Sequence, residues 1–153
     1  MKLTDDLSTF IERVGRYWEG LSFSRTAGRI IGALMISEPP HQSAADLVAL
    51  LGVSAGSVST QTRQLEQLGL VERVTFPGNR ASFYQLPDRV WSRVLDGELE
   101  RIVAMRKLAE AGSGVLPATR PERITELGAV AEFLVGEWPG LMERLSRRLK
   151  GTP

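Results

Sequence analysis

VSAGSVSTQTRQLEQLGLVERV, residues 53–74, decides how the rest of the chain is read. Its first half makes about three helical turns from Ser, Thr, Gln and Gly, all poorer helix formers than Ala. Val58, Thr62, Leu65 and Leu68 fall close to one face, while Ser57, Thr60, Gln61 and Gln64 fall mostly on the other. A helix of this kind is held by packing of its apolar side. Its polar side is left for another surface.

The flanks give that helix a setting. Upstream, SAADLVALLG carries Ser43 and Asp46 at capping-box spacing, with Asp in place of Glu, and Gly52 as a stop. This predicts a short helix over 44–51. Ser54 can cap the next, over 55–67, with Gly69 ending it. Two helices joined by a tight turn with an apolar Val53 in it read as a helix-turn-helix. Downstream, LVERVTF and RASFYQL read as strands around PGN, where Gly78 and Asn79 suit the positive backbone angles of a hairpin. The unit is thus a winged helix-turn-helix, with Arg80 at or beside the wing tip.

Leu7, Phe10, Ile11, Val14 and Trp18 follow the three-and-four spacing of an amphipathic helix ending near Gly20. A second helix follows Ser24, with Ala27, Ile30, Ile31, Leu34 and Met35 inward, and EPP at 38–40 as its limit. Gly28 and Gly32 lie one turn apart on it. They imply close approach of another helix, or a ligand lying against bare backbone. After Pro87 a long helix is predicted over 89–111, with Val90, Val94, Leu95, Leu99, Ile102, Val103 and Leu108 as much of its stripe. Two further helices are predicted over 122–136 and 140–150.

Composition excludes more than it identifies. The chain has 153 residues, 42% hydrophobic and 24% charged, with no apolar run near the ~20 residues of a membrane span. Its acidic start is unlike a secretory signal, so a cytoplasmic protein with no membrane partner is expected. Without cysteine there are no disulfides, thiolate metal sites or cysteine nucleophiles. The single histidine, His41 in SEPPHQS, reads as a loop or edge-strand residue with no neighbouring ligand pair. No Gly-rich phosphate loop or serine elbow occurs. No catalytic residue, metal site or cofactor is expected, and the chain is not read as an enzyme.

The net charge of +1 neither supports nor excludes nucleic acid. The argument for DNA is local. An α-helix fits the major groove, where Ser, Thr and Gln can answer donors, acceptors and thymine methyls. The candidate DNA-binding residues are Ser54, Gly56, Ser57, Thr60, Gln61, Arg63, Gln64, Arg73, Asn79 and Arg80. Gly56 allows close backbone approach, the helix N-terminus suits a phosphate, and Arg63 can reach a guanine or a phosphate. Arg80 would enter the adjacent minor groove, and Arg73 would contact the backbone. Each of these residues alone would be an ordinary solvated side chain. The order helix, turn, polar helix, hairpin, tip arginine is the specific signal. The alternative is a winged-helix module for protein contact, kept open by sparse basicity: residues 54–85 hold Arg63, Arg73 and Arg80 against Glu66 and Glu72.

GRYWEGLSFSRTAGRIIGALMIS, LVALLGVSAGSVSTQTRQLEQLGLVERV and PGNRASFYQL, in this order and spacing, resemble the MarR-type winged-helix regulators, most closely the GbsR-like subgroup of bacteria. The resemblance covers residues 8–88. It implies a homodimeric transcription factor that reads a pseudo-palindromic operator in double-stranded DNA, and a repressor is expected more readily than an activator because repression needs only occupancy of a promoter. The expected fold is mainly α with a small β-hairpin wing. An N-terminal dimerisation helix spans 1–23, the winged DNA-binding domain 24–88, and a C-terminal helical dimerisation region 89–153. Apolar surplus supports dimerisation, since Phe10, Trp18, Trp91, Ile102, Phe133, Leu134 and Trp138 exceed what a small winged domain covers. The other reading packs the tail on its own winged domain. The resemblance also implies a small-molecule effector of choline type, for which Tyr17, Trp18 and Trp91 are the candidate binding residues, with Trp138 a further aromatic face.

Overall fold

The Thr4 side chain accepts from the Leu7 amide and starts α1 (Asp5–Gly20), with Asp5 and Asp6 placed favourably in its first turn. The computed structural model describes residues 4–79, 81–115 and 121–150. Arg80 lies outside them. After α1 come α2 (Arg25–Met35), β1 (His41–Ser43), α3 (Ala44–Leu51), α4 (Ala55–Gln67), β2 (Glu72–Val74), β3 (Phe83–Gln85), α5 (Val90–Ser113) and α6 (Glu122–Lys150). The fold is mainly helical with a small antiparallel sheet. The chain divides into two compact units, residues 1–93 and 94–153.

In the first unit, Ser24 caps α2 by accepting from the Ala27 amide. The inward face of α2 is Ala27, Ile30, Ile31 and Leu34, all buried. Met35, expected inward, is 42% exposed, although Gly32, Ala33 and Leu34 in the same last turn are buried. The expected close approach at the two glycines is made by α1. A Cβ on Gly28 would sit 2.8 Å from Trp18 Cβ and 2.9 Å from Gly15 Cα, and one on Gly32 would sit 3.1 Å from Val14 Cβ. That space holds α1, so no ligand lies there.

Ser43 and Asp46 form the capping box of α3. The Ser43 hydroxyl donates to Asp46 Oδ2 at 2.6 Å and accepts from the Asp46 amide at 3.1 Å, and the Ser43 amide donates to the same carboxylate at 3.1 Å. The hydroxyl bond, followed by the amide bond, holds the Asp46 carboxyl below its ordinary pKa. A depressed carboxyl stabilises the fold above its unfolded pKa, near 4, and the contribution disappears as pH falls through the lower folded value. Ser43→Ala should cost about 1 kcal/mol. In urea melts from pH 7 to pH 3, Asp46→Asn should lose less stability on acidification than the parent; equal losses would show that the box carries none of the pH dependence.

The sheet order is β1-β3-β2, all antiparallel, with Gln42 opposite Tyr84 and Arg73 opposite the same tyrosine. His41 opens the edge strand β1, and its ring packs against Phe76 and Phe83 at 4.6 and 5.3 Å. The wing strands are shorter than predicted, three residues each. Phe76 turns onto Phe83 instead of extending β2, and Pro77 has no N–H for a ladder. At the tip Gly78 has φ +79°, whereas Asn79, expected to share that conformation, is not among the positive-φ residues. Asn79 instead accepts the Ala81 amide through its side chain at 2.9 Å, which fixes the turn another way.

In the second unit, α5 and α6 meet through small residues. Ala109 and Ala131 are buried, a Cβ on Gly112 would reach Ile124 Cδ1 at 2.9 Å, and one on Gly128 would reach Ala109 Cβ at 3.4 Å. Leu108, placed on the inward stripe of α5 by its spacing, is 63% exposed. The predicted pair of tail helices is one continuous helix with Pro139 inside it. Proline removes one helical hydrogen bond. The good helix formers in GLMERLSRRLK and AEFLVGEW carry the helix on from both sides. Phe133, Leu141 and Leu149 lie exposed along it.

Candidate nucleic-acid interface

The helix-turn-helix is set by its punctuation. Gly52 adopts φ +63° and donates its amide to Val48 O, ending α3. Two residues later Ser54 accepts the Ser57 amide at 3.1 Å and starts α4. Val58, Thr62 and Leu65 are fully buried, and the Thr62 hydroxyl donates to Val58 O at 2.9 Å, so even the polar member of that face is satisfied. Leu68, assigned to the same face by spacing, is 52% exposed. It is the C-cap, where the chain turns away through Gly69 at φ +66°.

Opposite the buried face, Gly56, Thr60, Arg63 and Gln67 form an exposed strip at helical spacing, with Ser54, Ser59 and Gln64 also exposed. Apart from its chain neighbours and its own helix backbone, no atom of the described residues lies within 4 Å of where a Gly56 Cβ would be. Packing within the protein therefore gives no reason for glycine there. With the Ser57 amide capped by Ser54, the Ala55 and Gly56 amides remain without intrahelical partners at the positive end of the helix dipole.

Other sequence-derived residues sit differently. Ser57 and Gln61 are half-buried on the flank of α4. Gln61 Oε1 accepts from the Ser24 hydroxyl at 2.6 Å, which ties α4 to the start of α2 and leaves the amide nitrogen to point elsewhere. Arg73 is 3.3 Å from Glu66 and 3.4 Å from the Tyr84 hydroxyl, with its guanidinium 5.6 Å from that ring's centre. It joins the helix to the sheet. Glu72 is held by Gln85 at 2.7 Å. Arg63 has no ion-pair partner among the described residues and is the free cation of this face. Asn79 is exposed on the wing. Gln67, which the sequence reading did not single out, continues the strip one turn beyond Arg63; that spacing was the available signal.

The aromatic candidates do not converge through ring contacts. Tyr17 and Trp18 are edge to face at 6.2 Å, and Trp18 is buried against Phe23 at 4.9 Å. Trp91 is exposed and joins neither in a ring contact among the described residues. No group of three or more metal-ligating side chains occurs among the described residues. None of their helices is long and apolar enough to cross a membrane.

Comparison with known proteins agrees with this geometry. Residues 20–82 match the MarR family model, and residues 89–148 match that of MmpR5-like MarR family transcriptional regulators. The chain is 32% identical over 149 residues to the HTH-type transcriptional regulator MmpR5 of Mycobacterium tuberculosis, covering 94% of this chain and 88% of the relative. A crystal structure of a transcriptional regulator superposes with a TM-score of 0.73 at 32% identity, over 93% of this chain and 99% of the other.

Proposed function

Since the chain belongs to the MarR family of transcriptional regulators, which are not enzymes, we propose that it binds a pseudo-palindromic operator in double-stranded DNA as a homodimer and represses by occupying a promoter. The observation that carries this reading is the outer strip of α4. It is polar and exposed along its length, sealed behind by a fully buried face, and it begins with a glycine that no internal contact requires. In the major groove Thr60, Gln64 and Gln67 would meet base edges, Arg63 a guanine or phosphate, and Ser54 and Ser57 the phosphate at the helix start. Gln61 would present only its amide nitrogen. Asn79 and Arg80 would approach the minor groove, and Arg73 would act at the backbone while bracing the wing.

A second apolar stripe on α1 and its C-cap supports the dimer. Leu7, Phe10, Val14, Tyr17 and Leu21 alternate three and four residues apart, beside the buried face of Ile11, Gly15 and Trp18. Tyr17 is 66% exposed and Leu21 41% exposed, a coiled-coil-like seam that a second copy would cover. Exposed Phe133, Leu141 and Leu149 on α6 add to the apolar surface available. An effector is the further part of the proposal. With Trp18 already packed, a quaternary ammonium would use the exposed face of Trp91 and whatever edge of Tyr17 the second copy leaves uncovered. Membership of the GbsR-like subgroup, supported by the sequence resemblance over residues 8–88 alone, would make choline the first compound to add to the DNA complex.

The decisive experiment is a fluorescence-anisotropy titration against DNA from upstream of the protein's own gene and a scrambled control at two salt concentrations. Selective binding that weakens with salt is expected, with a shallow slope because residues 54–85 hold only Arg63, Arg73 and Arg80 as cations. No binding to either fragment at low salt would favour a protein-contact module. Gly56→Ala should act with opposite signs. It should stabilise the folded protein by up to ~1 kcal/mol through helix propensity while weakening operator binding, because the new methyl stands where the backbone meets DNA. Unchanged affinity would mean that α4 does not approach DNA at its first turn.

A further inference from the structure

Arg29, on α2, reaches two other elements of the first unit, α1 and α3. Its Nη2 donates to the carbonyl of Leu51, the last residue of α3, at 2.7 Å. Its Nε lies 2.7 Å from Glu12 Oε1 on α1. The second contact is a close charge pair without aligned hydrogen-bond geometry, whereas the first is an aligned bond. The other Glu12 oxygen accepts from Arg25 Nη2 at 2.8 Å, so one carboxylate holds both arginines of α2. The route past α1 is open only because residue 15 is glycine. A Cβ there would sit 2.8 Å from Arg29 Cγ and 3.4 Å from Arg25 Cγ.

Leu51 O is a telling place for such a bond. It belongs to the last turn of α3, whose carbonyls lack helical partners, and the next residue, Gly52, makes the left-handed turn into α4. A donor fixed to that carbonyl fixes where the turn leaves α3, and so where α4 begins. Arg29 is only 23% exposed in its side chain, against 47% for Arg25. It is shielded enough for the bond to be held and too committed to serve a phosphate.

We propose that Arg29 is a positioning residue for DNA recognition: braced by Glu12 on α1, it clamps the Leu51 carbonyl and thereby sets the angle at which α4 is presented. The proposal rests on the DNA-binding reading given above. It separates Arg29 from Arg63, which meets DNA directly, by a property that bulk stability does not report. A phosphate contact contributes about one unit to the salt dependence of binding. A positioning residue contributes none, and its loss falls on specific binding.

The test compares the full-length protein with Arg29→Met, which keeps the stem beside Gly15, and Arg29→Lys, which keeps the charge and one reach. Operator and scrambled-DNA affinities are measured across a salt series at a temperature where each variant is folded by circular dichroism. Arg29→Met should weaken operator binding about tenfold, leave scrambled-DNA binding and the salt slope unchanged, and speed amide hydrogen exchange at residues 52–57 in the free protein. Arg29→Lys should recover part of both effects. A slope lowered by about one unit, with equal losses on both DNAs, would make Arg29 a phosphate ligand and overturn the proposal. Unchanged operator affinity, or unchanged exchange at the turn, would overturn it as well. Failure of the parent protein to bind DNA would remove the function reading and this proposal together, an outcome distinct from a parent that binds and variants that bind equally.

Discussion

Leu65→Ala should destabilise the protein by about 2–5 kcal/mol, the range for truncating a fully enclosed leucine, while Leu68→Ala, three residues on, should stay within about 0.5 kcal/mol. Leu65 has no exposed surface and Leu68 is 52% exposed. The difference comes from the end of α4. Leu65 lies inside the helix beside Val58 and Thr62, and its carbonyl receives the amides of Leu70 and Val71 at 2.9 and 3.3 Å as the chain turns toward β2. Shortening its fully enclosed side chain leaves a cavity behind the buried face of α4. At about 2–4 °C per kcal/mol for a chain of this size, the thermal midpoint should fall by roughly 10 °C. Paired urea melts of the two variants are the measurement. Equal losses would mean that the inward face of α4 is wrongly assigned, and with it the outward strip.

That pair also shows how far the sequence could be read. Both leucines fit one helical face by spacing, and a three-residue interval cannot say that the helix has already ended at the second. Helix starts were legible because Ser24, Ser43 and Ser54 each cap through their own side chain, a local interaction written in adjacent residues. Strand β1 was legible only as one of two readings of His41, loop or edge strand, because HQS has no alternation of its own and becomes a strand only by pairing with β3, forty or more residues away. The tail read as two helices, 122–136 and 140–150, on either side of Pro139, whose cost is local, while the support for a continuous α6 is spread along the whole helix. At the candidate interface the residue types were legible and their partners were not. Gln61 is turned toward Ser24, and Arg73 toward Glu66 and Tyr84, by contacts that depend on the assembled fold. Arg29 escaped singling out as a clamp for the same reason: its bond runs to a backbone carbonyl, which no side-chain pattern encodes.

Gly28→Val should be the most damaging change to the junction of α1 and α2, with a loss of about 3 kcal/mol or more from overpacking. The reason is what a Cβ would strike. Gly15 Cα at 2.9 Å and Gly15 O at 3.0 Å are backbone atoms, and Trp18 Cβ at 2.8 Å is fixed to backbone, so no side-chain rotation makes room. The helices would have to separate. Valine recovers less than ~1 kcal/mol of helix propensity over glycine, too little to offset that displacement. Gly32→Ala, whose nearest atoms are Val14 Cβ at 3.1 Å and Ile11 Cα at 3.2 Å, should cost less because a shift of a few tenths of an ångström suffices. Thermal melts should therefore rank Gly28→Val well below Gly32→Ala, and Gly56→Ala above the parent, although all three replace a glycine inside a helix. Tryptophan emission gives a second readout, since separating the helices would wet Trp18, now buried against Phe23. A Gly28→Val protein with the parent's midpoint and emission would mean that α1 is not seated on α2 through bare backbone, and Gly15 would then lose its role in letting Arg29 pass.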